Sequence, residues 1–198
     1  SFTAGMFGPA RQLDGNDKLD GGDPLDGSLD FADGSFSYSL WVFQTELGIA
    51  GFDTPFYKGG GSNQEPGYCL LLGSADWTVK VTDNASHSAD PELGSALLFQ
   101  NQWVHVAGVV DRTAGTVTAY ANGVAKNAQS IATQQLGNVS TTNSVLLGRG
   151  TEQLFEGRLD ELRIYKTALT PAWLATEVRN GTDPSFLTFG PEELEPTN

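Results

Sequence analysis

The residues best equipped for chemistry are acids. Asp14, Asp17, Asp20, Asp23 and Asp26 recur at every third position, with Gly15, Gly21, Gly22 and Gly27 among them. Glycine lets a chain turn tightly, so such carboxylates can converge on one hard cation like Ca²⁺, at oxygen distances of roughly 2.3–2.6 Å. The pattern is not an EF-hand loop, which closes on a Glu. The competing reading is that each Asp bonds the backbone of its own turn, and for Asp23 and Asp26 that role is expected. Asp160 stands apart, sharing a strand face with Leu162 and Ile164. A carboxylate in phase with the core has to be paired, hydrogen-bonded or metal-bound, because an isolated buried charge is too costly. Arg158 and Arg163 are the nearby charge partners.

The same acids do not form a hydrolase. A retaining glycosidase holds two carboxylates about 5 Å apart, which a strand can do only with residues of one face. The nearest approach is Glu156-Gly157-Arg158-Leu159-Asp160-Glu161, where Asp160 and Glu161 alternate to opposite faces. No catalytic residue is expected. His87, in a Ser-rich loop, and His105, alternating with Trp103, Ala107 and Val109, give neither metal-ligand spacing nor a triad. His105 is expected to be packed and satisfied. The lone cysteine, Cys69 in Tyr68-Cys69-Leu70-Leu71-Leu72, reads as a small hydrophobe of a core strand. Solvent-facing rings stack on sugar faces. The candidate ligand-binding residues are Trp77, which begins a strand after Gly73-Ser74-Ala75, and Tyr57, beside the Gly59-Gly60-Gly61 loop.

The elements that must position these groups are strands. Phe36, Tyr38, Leu40 and Val42 alternate with Ser37, Ser39, Trp41 and Phe43, which predicts a strand buried on both faces towards its end. Residues 103–110 are rich in β-branched side chains, and 116–121 lead into Asn122-Gly123, a type I′ hairpin signal. Residues 145–148 and 157–165 supply two more strands, so the chain predicts an antiparallel sandwich of roughly a dozen short strands. One helix is signalled, near the end. Thr170 is its N-cap candidate, Pro171 its first residue and Asn180-Gly181 its stop, with Trp173, Leu174 and Val178 as its apolar stripe.

Bulk composition narrows the partners. At 198 residues and 39% hydrophobic content the chain can bury one continuous core without disulfides. The net charge of −13, from 24 acids against 11 bases, argues against nucleic acid and anionic membrane surfaces as partners. No run of about 18 apolar residues is present, so no direct membrane insertion is expected. The start lacks a signal-peptide pattern. Pro191-Glu192-Glu193-Leu194-Glu195-Pro196 reads as an acidic linker, as expected of a segment drawn from a longer chain. The division expected is a domain over 1–185 and an extension over 186–198.

Four segments in order now resemble the laminin G-like domains of bacterial and archaeal surface and secreted proteins, within the concanavalin A-like lectin/glucanase superfamily. Gly8 to Asp17 resembles the opening "G-x-A-hydrophobic-x-F-D-G-x-x-D" segment, and Phe36 to Val42 the "F-T-hydrophobic-S-x-W-V" strand. Trp103 to Gly123 resembles the "W-H-H-V-A … Y-V-D-G" hairpin, and Gly157 to Tyr165 with Ala168-Leu169-Thr170 the closing "G-x-I-D-E-V-R-I-Y … A-L-S" segment. Leu13, Val104 and Asn122 depart from the usual Phe, His and Asp, and the loss of Asp at 122 weakens any metal role for that hairpin tip. The resemblance implies an all-β, two-sheet antiparallel jelly-roll sandwich with one short C-terminal helix, and places Trp41 and Trp103 in its core. It also implies a structural Ca²⁺ near the end where the closing strand meets the opening one, and Asp14, Asp17 and Asp160 are the acids expected to contribute as its metal ligands. The function expected is a non-catalytic, Ca²⁺-stabilised adhesion module at the cell surface or outside the cell. Its partners would be carbohydrate or a cell-surface protein, and the neighbouring domains of a larger chain. The alternative is a structural or display domain of a larger surface protein or filament with no small ligand.

Overall fold

The computed structural model describes residues 1–45, 52–73, 75–95, 99–148, 155–186 and 190. In chain order the strands are β1 (Phe2–Ala4), β2 (Pro9–Asp14), β3 (Leu19–Gly22), β4 (Phe36–Gln44), β5 (Phe52–Gly59), β6 (Gly67–Gly73) and β7 (Asp76–Thr82). There follow β8 (Ser88–Ala89), β9 (Glu92–Ser95), β10 (Trp103–Asp111), β11 (Thr116–Ala121), β12 (Val124–Ser130), the one-turn helix α1 (Ile131–Gln134), β13 (Val145–Leu147), β14 (Glu156–Tyr165) and α2 (Pro171–Thr182). The first sheet runs β1-β2-β14-β4-β10-β11-β12 and the second β3-β13-β5-β6-β7-β8, with β9 also on β7. Pairing is antiparallel throughout, and the closing strand β14 lies between β2 and β4. The fold is the expected jelly-roll sandwich.

The core lies between the sheets and follows from period-two burial. Leu13, Phe36, Tyr38, Leu40 and Val42 of the first sheet meet Phe56, Tyr68, Leu70, Leu72, Trp77, Val79 and Val81 of the second. Phe36 stacks on Phe31 with centroids 4.4 Å apart, and the Tyr38 hydroxyl donates across the sandwich to the Cys69 carbonyl at 2.6 Å. Both faces of β4 are buried, as its composition predicted. The second burial comes from α2. Leu174 of that helix is fully buried against Ala107, Val109, Tyr120 and Leu169 on the outer face of the first sheet.

The hairpin-turn and helix-start signals hold. Asn122 and Gly123 adopt φ of 50° and 75° between paired Ala121 and Val124, as a type I′ turn requires. The Asn122 side-chain oxygen accepts from the His105 amide at 2.9 Å, a use for the residue that replaces the usual Asp. Thr170 caps α2 by accepting from the Trp173 amide at 3.2 Å, and Pro171 is the first helical residue. The helix passes the expected stop at Asn180-Gly181 and ends at Thr182. Of its predicted stripe only Leu174 is buried, and Trp173 stays 54% exposed. The single turn α1, capped by Ser130, was not foreseen from sequence. The proposed extension at 186–198 lies almost wholly outside the described residues.

Candidate functional site

The acids singled out in the sequence are held apart. In the register of β2 with β14, Asp14 faces Glu156 and Arg11 faces Leu159, so Asp160 lies about four residues, roughly 13 Å, further along the sheet. Asp14 accepts from the Asn16 amide at 3.1 Å, and Asp17 pairs with Arg11 at 3.6 Å. Asp160 Oδ2 accepts from the amides of Met6 and Phe7 at 2.9 and 3.0 Å. Asp160 is not in phase with the core: a bulge with Glu161 at φ 52° inserts an extra residue, so Leu162 and Ile164 pack inwards while Asp160 does not share their face. The loop carrying those amides comes close enough that a Cβ on Gly5 would lie 2.4 Å from Asp160 Oδ2, so glycine is required there.

Among the described residues no three His, Cys, Asp or Glu side chains converge, and Asp160 does not come together with Asp14 and Asp17 as expected. Asp20 and Asp26 cap their own turns through the Gly22 and Ser28 amides, each at 2.9 Å. Asp23 departs from its expected turn role. It receives the Nζ of Lys58, a fully buried lysine that also donates to the carbonyls of Thr141 and Asn143.

Both rings proposed as ligand contacts are internal. Trp77 is 0% exposed and donates Nε1–H to Gln44 Oε1 at 3.1 Å. The alternation Trp77, Val79, Val81 against Thr78, Lys80 carried that information, because the first set is the core face. Gln44 passes the bond on, donating from Nε2 to Asp53 Oδ2 at 3.3 Å. Burial pushes the Asp53 carboxyl up to about 6, with Glu156 adding to the rise against the Gln44 bond. Tyr57 is 3% exposed: its hydroxyl donates to Glu65 at 2.6 Å, and Gly61 lies over its ring. Cys69 is buried beside it, with its thiol pushed far above its ordinary range by burial.

The polar side of that alternation forms a groove. Thr78 and Lys80 of β7 point outward with Leu71, and Gly61, Asn63, Asp90 and Glu92 complete a cavity of about 360 Å³ on the outer face of the second sheet. The Lys80 side chain is 7% exposed and its Nζ donates to Asn63 Oδ1 at 2.6 Å and Asp90 Oδ1 at 2.9 Å. Ser88 donates to Asp90 Oδ2 at 3.2 Å. The ammonium is thus spent inside the protein, and it holds a partly exposed carboxylate and an amide in fixed positions. Such an arrangement presents hydrogen-bond acceptors to a hydroxylated ligand without paying to order them.

A second polar cluster was missed in the sequence. Glu177 of α2 lies over the first sheet, accepting from Ser39 Oγ at 3.1 Å and from the Tyr165 hydroxyl, with His105 Nε2 3.3 Å from its Oε2. Burial works to raise the Glu177 carboxyl, but the facing His105 and the bonds from Tyr165 and Ser39 outweigh it and hold it down at about 2. His105 is packed edge-on to Trp41 at 5.2 Å, and neither ring nitrogen makes a well-aligned hydrogen bond among the described residues, Nε2 only facing Glu177 Oε2 at 3.3 Å. Trp41 is buried as expected, but under α2 rather than between the sheets. His87 pairs with Asp83 at 3.0 Å.

This fold and these motifs define a laminin G-like jelly-roll domain. The chain belongs to the concanavalin A-like lectin/glucanases superfamily, whose laminin G sequence model matches residues 14–175. No curated protein matches it in sequence. Domain 4 of AbnA, an extracellular arabinanase from Geobacillus stearothermophilus solved in complex with arabinotriose, is 27% identical at a TM-score of 0.65, covering 90% of this chain and 80% of that one. The binding domain of Paraclostridial Mosquitocidal Protein 1 superimposes at a TM-score of 0.74 and 17% identity, over 92% of this chain and 46% of that chain. The receptor-binding domain of a botulinum neurotoxin C/D mosaic superimposes at 0.70 and 15%, over 91% and 45%. The chain therefore spans about half the length of either toxin fragment, and at those identities the likeness is one of fold. Among the described residues no helix is long and apolar enough to cross a membrane.

Proposed function

We propose that this domain is a non-catalytic carbohydrate-binding module of an extracellular protein, holding a glycan in the groove over β7. The observation that carries the reading is the Lys80–Asp90–Asn63 network, in which a buried ammonium fixes two acceptors at the edge of an open cavity. Support comes from the arabinanase domain, similar over most of both chains and solved with arabinotriose, from an enzyme that is extracellular. The acids nearest to a glycosidase pattern support a non-catalytic role, because Asp160 is occupied by two amides and Glu161 by Arg163. The three acids expected to bind Ca²⁺ lie outside the groove lining.

Calorimetric titration with arabinotriose and a panel of other neutral oligosaccharides tests the reading. Asp90→Ala should weaken binding roughly tenfold or more, as losing a fixed polar contact of about 1.4 kcal/mol would do. Binding indifferent to Asp90 and Lys80 would remove the groove from consideration. No binding across the panel would return the domain to a structural or display role.

A further inference from the structure

Beyond the groove over β7, we infer that a second carbohydrate site lies on the opposite sheet, between α2 and β14, and that it takes a single uncharged sugar ring stacked on Trp173. The cavity there has a volume of about 380 Å³ and is lined by Arg163, Tyr165, Trp173, Glu177, Asn180 and Phe186, with Thr176 at its wall. That volume lies at the low end of small-ligand pockets, roughly 300–1,000 Å³.

Three observations converge. The first is the platform. Trp173 lies in the first turn of the helix that buries its neighbour Leu174 completely, yet Trp173 itself stays 54% exposed. Its orientation is set, because Nε1 donates to Glu177 Oε1 at 3.4 Å. An oriented, solvent-facing ring with a wet edge suits the apolar face of a sugar.

The second is the set of polar groups around it. The Arg163 guanidinium is clamped between Glu161 and Glu177, the latter at 3.6 Å, while its side chain remains 35% exposed, so donors are fixed and open. The Asn180 carboxamide forms no hydrogen bond among the described residues and is free to bind a hydroxyl pair. Glu177 itself is pinned by Tyr165, Ser39 and His105, which leaves the acceptor side of the pocket rigid.

The third is charge, which selects the ligand. Arg163 and Arg179 stand against Glu161, Glu177 and Asp183, an excess of one negative charge in a chain of net charge −13. Both arginines already hold carboxylates, so a uronic or sialic acid would arrive with a charge and find no unpaired cation. A neutral sugar meets donors and acceptors without that penalty.

The test titrates intact protein with arabinotriose, xylotriose, cellotriose and trigalacturonic acid, comparing wild type with Trp173→Ala, Asn180→Ala and Asp90→Ala. Trp173 is exposed, so its truncation should leave the melting temperature within a few degrees; Trp173→Phe retains a platform and should retain part of the binding. The expected result is that Trp173→Ala lowers affinity for at least one neutral trisaccharide roughly tenfold, that Asn180→Ala lowers it less, and that trigalacturonic acid does not bind. The same loss should appear when Trp173→Ala is added to Asp90→Ala. Affinities unchanged in Trp173→Ala but lost in Asp90→Ala would overturn this site and leave the first groove standing. Loss in Trp173→Ala with none in Asp90→Ala would keep this site and overturn the first. Binding to none of the sugars would overturn both.

Discussion

Asp53 and Glu177 are both carboxylates withdrawn from water, and they respond in opposite ways. Asp53 lies between the sheets, bonded by one neutral amide and faced by Glu156, and its carboxyl is pushed up to about 6. Glu177 lies under a helix among Ser39, Tyr165, His105 and Arg163, and its carboxyl is held at about 2. Burial opposes the charge at both sites; the number and polarity of donors decide which way each settles. One region tolerates a charge, and the other is organised around one.

Removing each charge should therefore have opposite signs. The largest effect is expected at Glu177→Ala, which strands His105, Tyr165 and Arg163 and should cost about 2–4 kcal/mol in urea unfolding. A loss under about 0.5 kcal/mol would mean that α2 docks through Leu174 alone. Asp53→Asn should stabilise the domain by about 1–2 kcal/mol at pH 8 and have little effect at pH 4. Destabilisation at pH 8 would show that the Gln44–Asp53 bond needs the charge.

The pH dependence separates the same two groups. The Glu177 carboxyl is depressed on folding from its ordinary 4.5, so its contribution is complete above pH 4.5 and is lost as pH falls through about 2. The Asp53 carboxyl is raised from 3.8, so its contribution is complete below pH 3.8 and is lost as pH rises through about 6. Melting temperature plotted against pH should fall on both sides of pH 4, with the upper limb flattened in Asp53→Asn and the lower in Glu177→Gln.

Asp160 supplies the smallest test. Its two amide donors place it with Glu177 in kind, and Asp160→Asn should cost about 1 kcal/mol. That cost should be equal in Ca²⁺ and in chelator. A cost that appears only with Ca²⁺ present would restore the metal reading of this end of the sandwich.

How far sequence reaches is visible in particular residues. The alternation in β4, the Asn122-Gly123 turn and the Thr170-Pro171 helix start were all readable, since each depends on neighbours within a few positions. The same alternation along 77–81 puts Trp77 on the core face with Val79 and Val81. Asp160 could not be placed that way, because the bulge at Glu161 breaks the period the reading relied on. Lys80 and Asp90 are ten residues apart and Glu177 lies far from Ser39 and His105; no local pattern joins them.

From sequence alone came the class of fold, the order of its principal strands, the terminal helix and the net acidity of the chain. Those features rest on short-range periodicity, capping and summed charge. Only the tertiary structure decided that Asp14, Asp20 and Asp26 cap turns, that Asp160 accepts from two amides, and that Asp17 and Asp23 pair with Arg11 and Lys58. It also decided that Tyr57 and Trp77 are packing residues, and that Trp173, assigned to an apolar stripe, faces solvent beside a fixed arginine and carboxylate. Site chemistry depends on which distant side chains the sheets bring within hydrogen-bond reach, and that is set by register, bulge and helix docking.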